Sequence, residues 1–167
     1  MAKRITRGAL FGALLCLVCP LCIWIGPIPI GLSLLAVMLA ALLLPWQEAL
    51  SCVAVYLALG CLGLPVFAGF QGGPGVLIGA TGGFIISYPA VVLCIGACKK
   101  KGNGRTYMGC AFGLLISYAC GLLWYCCVAA PASLGTAVMT CILPFVPFDI
   151  LKIILAVFLT KLIRARM

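Results

Sequence analysis

The chain contains no histidine, and of its 167 residues only Glu48 and Asp149 are acidic. The side chain best suited to acid–base chemistry near neutral pH is therefore missing. No second carboxylate lies near Asp149 in sequence, and no GxxxxGK[ST] phosphate loop is present. Such an inventory cannot hydrolyse ATP, and a metal-dependent membrane hydrolase would need ligands that the chain lacks. An enzyme is excluded on these grounds, and no cofactor or metal is expected; binding or transport remains. Charge is scarce as well. Charged residues make up 8% of the chain against 66% hydrophobic, and the mean hydropathy is +1.34. That leaves too few polar side chains to cover a water-facing globule, so an integral membrane protein in contact with the lipid bilayer is expected.

The net charge of +9 invites a nucleic-acid reading, but the eleven basic residues do not form a surface interleaved with aromatics. They cluster at Lys3, Arg4 and Arg7, at Lys99, Lys100, Lys101 and Arg105, and at Lys161, Arg164 and Arg166, with Lys152 alone. Clusters beside apolar runs are what the positive-inside rule produces, and no nucleic-acid partner is expected. Twelve cysteines include Cys16, Cys19 and Cys22 at CxxCxxC spacing. These three fall in an apolar run with no histidine to assist, and they read as small buried hydrophobes. Lys3, Arg4 and Arg7 before that run resemble a signal peptide, but no small-x-small cleavage site follows near Trp24 to Gly31, so a retained first helix is expected.

Hydropathy places six spans, at residues 8–25, 28–44, 47–62, 82–98, 107–130 and 147–163, in one membrane domain covering 1–167. The fold class read from the sequence is all-α: a polytopic six-helix bundle with a Gly-rich extracytoplasmic loop between helices 3 and 4. With the basic N-terminus in the cytoplasm, six crossings put all three basic clusters on that side, a check that five or seven spans fail. The same parity sends the Gly26–Pro29 turn, the Gly63–Gly83 segment and the Pro131–Val146 connection to the outer side, where they can close over one pocket. The apolar Pro131–Val146 stretch is expected to fold as a short helix or re-entrant piece. Trp24, Trp46 and Tyr107 read as interfacial belt residues.

The Gly63–Gly83 segment, GLPVFAGFQGGPGVLIGATGG, holds eight glycines and two prolines in 21 residues. Glycine costs about 1 kcal/mol and proline about 3 kcal/mol relative to alanine within a helix, so a structured loop is expected. Flexible linkers are polar, whereas this segment carries Leu64, Val66, Phe67, Phe70, Val76, Leu77 and Ile78, which favours a packed loop over a free connector. In the first span Gly8, Ala9, Gly12 and Ala13 form overlapping small-xxx-small patterns on one face. They serve either close packing inside this bundle or a docking face for a partner helix.

Asp149 and Lys152 open the last span in PFVPFDILK, three residues apart and so on one helical face. Pro147 suits the first helical position, placing Asp149 in the first turn, where the helix dipole supports a carboxylate. Ionisable groups in a span are candidates for a functional site; the alternative is an ion pair that merely anchors the helix at the interface. An outward pocket built on this pair has Gln71, Thr81, Ser87 and Tyr88 as polar candidates. Phe67, Phe70, Phe84, Tyr118 and Trp124 are its candidate apolar walls.

The run GLPVFAGFQGGPGVLIGATGGFIISYPA, with PIPIGLSLLAVMLAALLL before it and PFVPFDILK after it, resembles the BioY family, the biotin-binding substrate (S) components of energy-coupling factor (ECF) transporters. The resemblance covers nearly the whole chain. It implies a six-helix membrane fold in a bacterial plasma membrane with both termini cytoplasmic. It also implies a high-affinity biotin site near the outer face, and power from an ECF transmembrane subunit and two ATPase subunits. Carried onto matching positions, it points to Asp149, Lys152, Gln71 and the Thr81-Gly82-Gly83 turn. Proline is usual in the family where this chain has Ala80, which is expected to loosen the loop entering the fourth span. Thr-Leu-Gln is frequent where this chain has Gly31-Leu32-Ser33, and the change is expected to remove a polar side chain from the pocket. Some relatives carry arginine at the position of Ile85, so a carboxylate clamp is not available there.

The residues agree with biotin without selecting it. A ureido ring offers two N–H donors and one carbonyl, which suits an Asp149 acceptor beside Lys152 and Gln71. Asp149 is expected to accept from a ureido N–H. An S component for a different vitamin and a structural membrane protein with no ligand are the competing expectations.

Overall fold

The computed structural model describes residues 2–24, 29–99, 103–129, 135, 138–139 and 142–166. The chain is mostly helical. The first helix, α1 (Ala2–Val18), stops well short of the expected end of the first span. Pro20 has no N–H to donate and ends the ladder after the Cys19-to-Leu15 and Leu21-to-Val18 hydrogen bonds. The chain then becomes extended. β1 (Cys22–Trp24) pairs antiparallel with β2 (Pro29–Gly31), in the register Cys22 to Gly31 and Ile23 to Ile30. This two-stranded ribbon corrects the all-α expectation. Isoleucine and tryptophan favour a pleated surface, and proline is tolerated as the first residue of a strand. Of the expected Gly26–Pro29 turn, residues 26–28 lie outside the described residues, and Pro29 opens β2.

The second helix, α2 (Ser33–Leu43), is apolar all round and forms the centre of the molecule, packed by α1, by α3 (Trp46–Cys61), by α6 (Tyr88–Lys99) and by α8 (Val146–Ala165). Its end is held by two cations. Lys99 donates from Nζ to the carbonyl of Leu44 at 2.8 Å, and Arg164 donates from Nη2 to that of Leu42 at 2.7 Å. These bonds satisfy carbonyls that a helix terminus leaves without partners. Lys161 lies over the Tyr107 ring, 5.9 Å from its centroid, which brings the end of α8 to the start of α7 (Asn103–Trp124).

The Gly-rich segment is packed at its base and contains a helix, which the sequence reading did not foresee. Gly63, Gly69 and Gly73 adopt positive φ, a conformation that glycine takes without steric cost. The Gly69 N–H donates to the carbonyl of Pro20 at 2.9 Å, and that of Gly73 to Gly60 at 2.7 Å. Phe67 is fully buried edge-on to Tyr56, with centroids 5.6 Å apart, whereas Leu64, Phe70 and Ile78 are exposed. One turn of helix, α4 (Pro74–Ile78), then forms with proline at its start. There the missing N–H costs nothing, so the propensity argument against helix does not apply.

The expected fourth span is two helices, α5 (Gly82–Ile86) and α6, joined at Ser87. The Ser87 hydroxyl donates to the Phe84 carbonyl at 2.6 Å and is hydrogen-bonded to the Ser117 hydroxyl of α7 at 2.9 Å. After α7 the chain makes one wide π turn, Tyr125–Ala129. Of the expected Pro131–Val146 re-entrant piece, residues 131–134, 136–137 and 140–141 lie outside the described residues. Among the described residues, Gly82–Lys99 and Arg105–Val128 are long and apolar enough to cross a membrane, while α2 and α3 are shorter. Leu17, Val55, Phe112, Leu115, Leu123, Ile154 and Phe158 form an exposed apolar exterior.

Candidate functional site

Pro147 places Asp149 in the first turn of α8, and one helical turn later comes Lys152. Both are buried, at 4% and 8% exposure. The Lys152 ammonium donates to Oδ1 of Asp149 at 2.6 Å. The other oxygen, Oδ2, accepts from the Tyr118 hydroxyl of α7, also at 2.6 Å. A buried pair is tolerated only when the remaining valences are filled, and the phenol fills one on the carboxylate side. An ammonium has three donors, so Lys152 keeps capacity beyond the one bond to Asp149.

These groups form part of the wall of a cavity of about 70 Å³. Pro29 and Gly31 of the ribbon, Ser33 and Leu34 of α2 and Tyr56 of α3 border it on one side. Thr81, Phe84, Ile85 and Tyr88 border it on another, and Ser117 and Phe145 complete the wall. Thr81 also borders a second, more open space of about 470 Å³ along the Gly-rich segment, lined by Gln71, Gly72, Gly75, Val76, Gly79 and Ala80.

Of the residues singled out from the sequence, Asp149, Lys152, Thr81, Tyr88, Phe84 and Tyr118 meet at the first cavity. Gln71 lies on the second space, which shares Thr81 with the first. Ser87 stands behind the wall on Ser117. Phe67 belongs to the core and Phe70 faces outward at 66% exposure, with φ of 58°. Gly82 and Gly83 are packing positions. A side-chain carbon on Gly82 would fall on the Leu77 carbonyl, and one on Gly83 would fall on Trp124. Trp124 therefore packs against α5, away from both spaces, and its indole Nε1 is buried without an acceptor among the described residues.

Ser33 borders the cavity with its hydroxyl, and Gly31 borders it without a side chain. The sequence reading missed Tyr56, Ser117 and Phe145. Phe145 was within reach of it, because it precedes Asp149 by one helical turn; Tyr56 and Ser117 depend on how α3 and α7 pack. Among the described residues no three metal-ligating side chains converge. Gly8, Ala9, Gly12 and Ala13 line a separate open groove of about 660 Å³ with Glu48, Cys52, Val55 and Leu59 of α3. A side-chain carbon on Gly12 would meet nothing within 4 Å and one on Gly8 only Cys52 Sγ at 3.8 Å, while the Gly8 carbonyl accepts from the Cys52 thiol at 3.2 Å.

Comparison with known proteins places the arrangement. Residues 1–167 match the BioY family. The chain is 35% identical over 160 residues to a Pyrococcus horikoshii protein named "Probable biotin transporter BioY", covering 96% of this chain and 95% of that one. It is 33% identical over 156 residues to "Biotin transporter BioY" of Thermotoga maritima, covering 92% and 91%. The fold is similar to the 2.1 Å crystal structure of the S-component for biotin from an ECF-type ABC transporter, with a TM-score of 0.89 and 28% identity over 98% of this chain and 92% of that one.

Proposed function

The chain belongs to the BioY family, and from that membership we propose that it is the biotin-binding S component of an ECF transporter. In this reading it is a six-span protein of the plasma membrane that captures biotin at its outer face. It carries biotin inward together with an ECF transmembrane subunit and two ATPase subunits. The observation that carries the reading is the buried Asp149–Lys152–Tyr118 cluster on the cavity wall. A ureido ring is neutral but presents two N–H donors and a carbonyl. Asp149 retains lone pairs to accept an N–H, and Lys152 retains donors for the carbonyl. Thr81, Tyr88, Phe84 and Ile85 wall the fused rings. Gln71, above Thr81, meets the outer part of the ligand; Gly82, Gly83 and Trp124 hold α5 in place for it, and Phe67 and Phe70 belong to the loop that covers it.

The positions of the basic residues support the orientation. Lys99 of α6 and Arg164 of α8 meet at the end of α2, and Lys161 of α8 lies over Tyr107 at the start of α7; the positive-inside rule assigns that end, with both termini, to the cytoplasm. The open groove along Gly8, Ala9, Gly12 and Ala13 is the proposed seat of the transmembrane subunit, because small residues let helices approach closely in lipid.

Titration calorimetry on the purified protein tests the ligand. Biotin is expected to bind and to raise the melting temperature, while a panel of other vitamins leaves it unchanged. A shift with another vitamin and none with biotin would overturn the assignment.

A further inference from the structure

The inference rests on biotin being the ligand and concerns its other end. Biotin carries one anionic group, the carboxylate of its valeryl chain. Among the described residues the charged side chains on the cavity wall are Asp149 and Lys152, which neutralise each other at 2.6 Å. The sequence supplies no further cation. No basic residue occurs between Arg7 and Lys99, and Lys152 stands alone between Arg105 and Lys161. That covers the whole Gly-rich segment, the ribbon and every residue joining α7 to α8. Lys99 and Arg164 are committed to carbonyls of α2, at the end away from the cavity. A ligand carboxylate could gain a counter-ion only by taking Lys152 from Asp149, which would leave a buried carboxylate short of its partner.

We propose that the site reads the bicyclic head of biotin and is indifferent to its carboxylate. Biotin joined through an amide at that carboxyl to an amine such as a lysine side chain is then bound as well as the free acid, with the substituent lying along the Gly-rich segment. Room exists there, in the space of about 470 Å³ that shares Thr81 with the cavity as a bordering residue. Its lining is uncharged, and Gln71 offers both a donor and an acceptor to an amide. Glycine keeps it open, since a side-chain carbon at Gly75 would meet no atom within 4 Å.

Competition calorimetry on the full chain tests this with biotin, its primary amide and Nε-biotinyl-lysine. Both amides are expected to bind within about threefold of biotin, the scale of an exposed charge. A loss of roughly 10- to 150-fold for the primary amide, the worth of a hydrogen bond to a charged group, would overturn the proposal and assign Lys152 to the carboxylate. Absence of biotin binding would instead overturn the ligand assignment. Gly75→Leu tests the location: biotin and the primary amide are expected to bind as before, with biotinyl-lysine at least about tenfold weaker because the space is filled. Unchanged binding of biotinyl-lysine by that variant would overturn the placement along the segment.

Discussion

The Tyr118 hydroxyl donates to Oδ2 of Asp149 at 2.6 Å, joining α7 to α8 across the cavity wall. The bond fixes the carboxylate plane, because the opposite oxygen is already held by Lys152. A hydrogen bond to a charged group contributes about 1.5–3 kcal/mol. Tyr118→Phe keeps the ring and removes the donor, so it is expected to weaken biotin binding roughly tenfold while the protein stays folded. Calorimetry with a melting curve on the same sample checks both parts.

Asp149→Asn and Lys152→Met differ from their combination in an informative way. Each single change leaves one buried charge without its partner, which costs about 3–5 kcal/mol of stability. Replacing both groups removes the charges together, so the double variant is expected to melt above either single one. Biotin binding is expected to fall strongly in all three. Wild-type affinity in both single variants would remove the charged pair from the site.

Gly83→Ala is expected to destabilise the protein by about 1–3 kcal/mol, the range for an overfilled interior. The added carbon meets Trp124 and also the backbone carbonyl of Cys120 at 2.6 Å. The atom met on Trp124 is its Cβ, which alanine retains, so Gly83→Ala/Trp124→Ala relieves neither contact and is expected not to regain wild-type stability. Thermal melts of the three variants decide this.

On α1, Ala9→Trp and Ala13→Trp are expected to abolish co-purification with the transmembrane subunit and to leave biotin affinity unchanged. Gly12→Ala is the control. Its new methyl meets nothing, and alanine is better than glycine within a helix by about 1 kcal/mol, so stability is expected to hold or rise. Intact complexes from both tryptophan variants would return these small residues to the interior of the bundle.

The ion pair was legible because helical spacing and a proline at the helix start are local signals, and PFVPFDILK carries both. The ribbon was not. From Leu21 to Ile25 an apolar stretch satisfies helix and strand alike, and before it only Pro20 marks where one gives way to the other. In the Gly-rich segment the summed cost of glycine argued against helix, yet five residues starting at Pro74 form one, because so short a helix asks little of propensity. Phe67 was legible as apolar, but its place in the core beside Tyr56 and away from the cavity depends on the left-handed turns around it. Tyr118 was visible as an aromatic wall, whereas its bond to Asp149 depends on the rotation of α7 against α8, which periodicity within one helix does not encode.

The clamp at the end of α2 has a mechanical consequence. Lys99 and Arg164 lash α6 and α8 to the same helix terminus, while the opposite end is closed by a short ribbon and a glycine loop. The cavity holds about 70 Å³, against roughly 300 Å³ or more for sites that enclose a small molecule. Admitting a guest therefore requires the cavity to widen, and with α6 and α8 tied to α2 at the far end the give is left to the ribbon and the glycine loop.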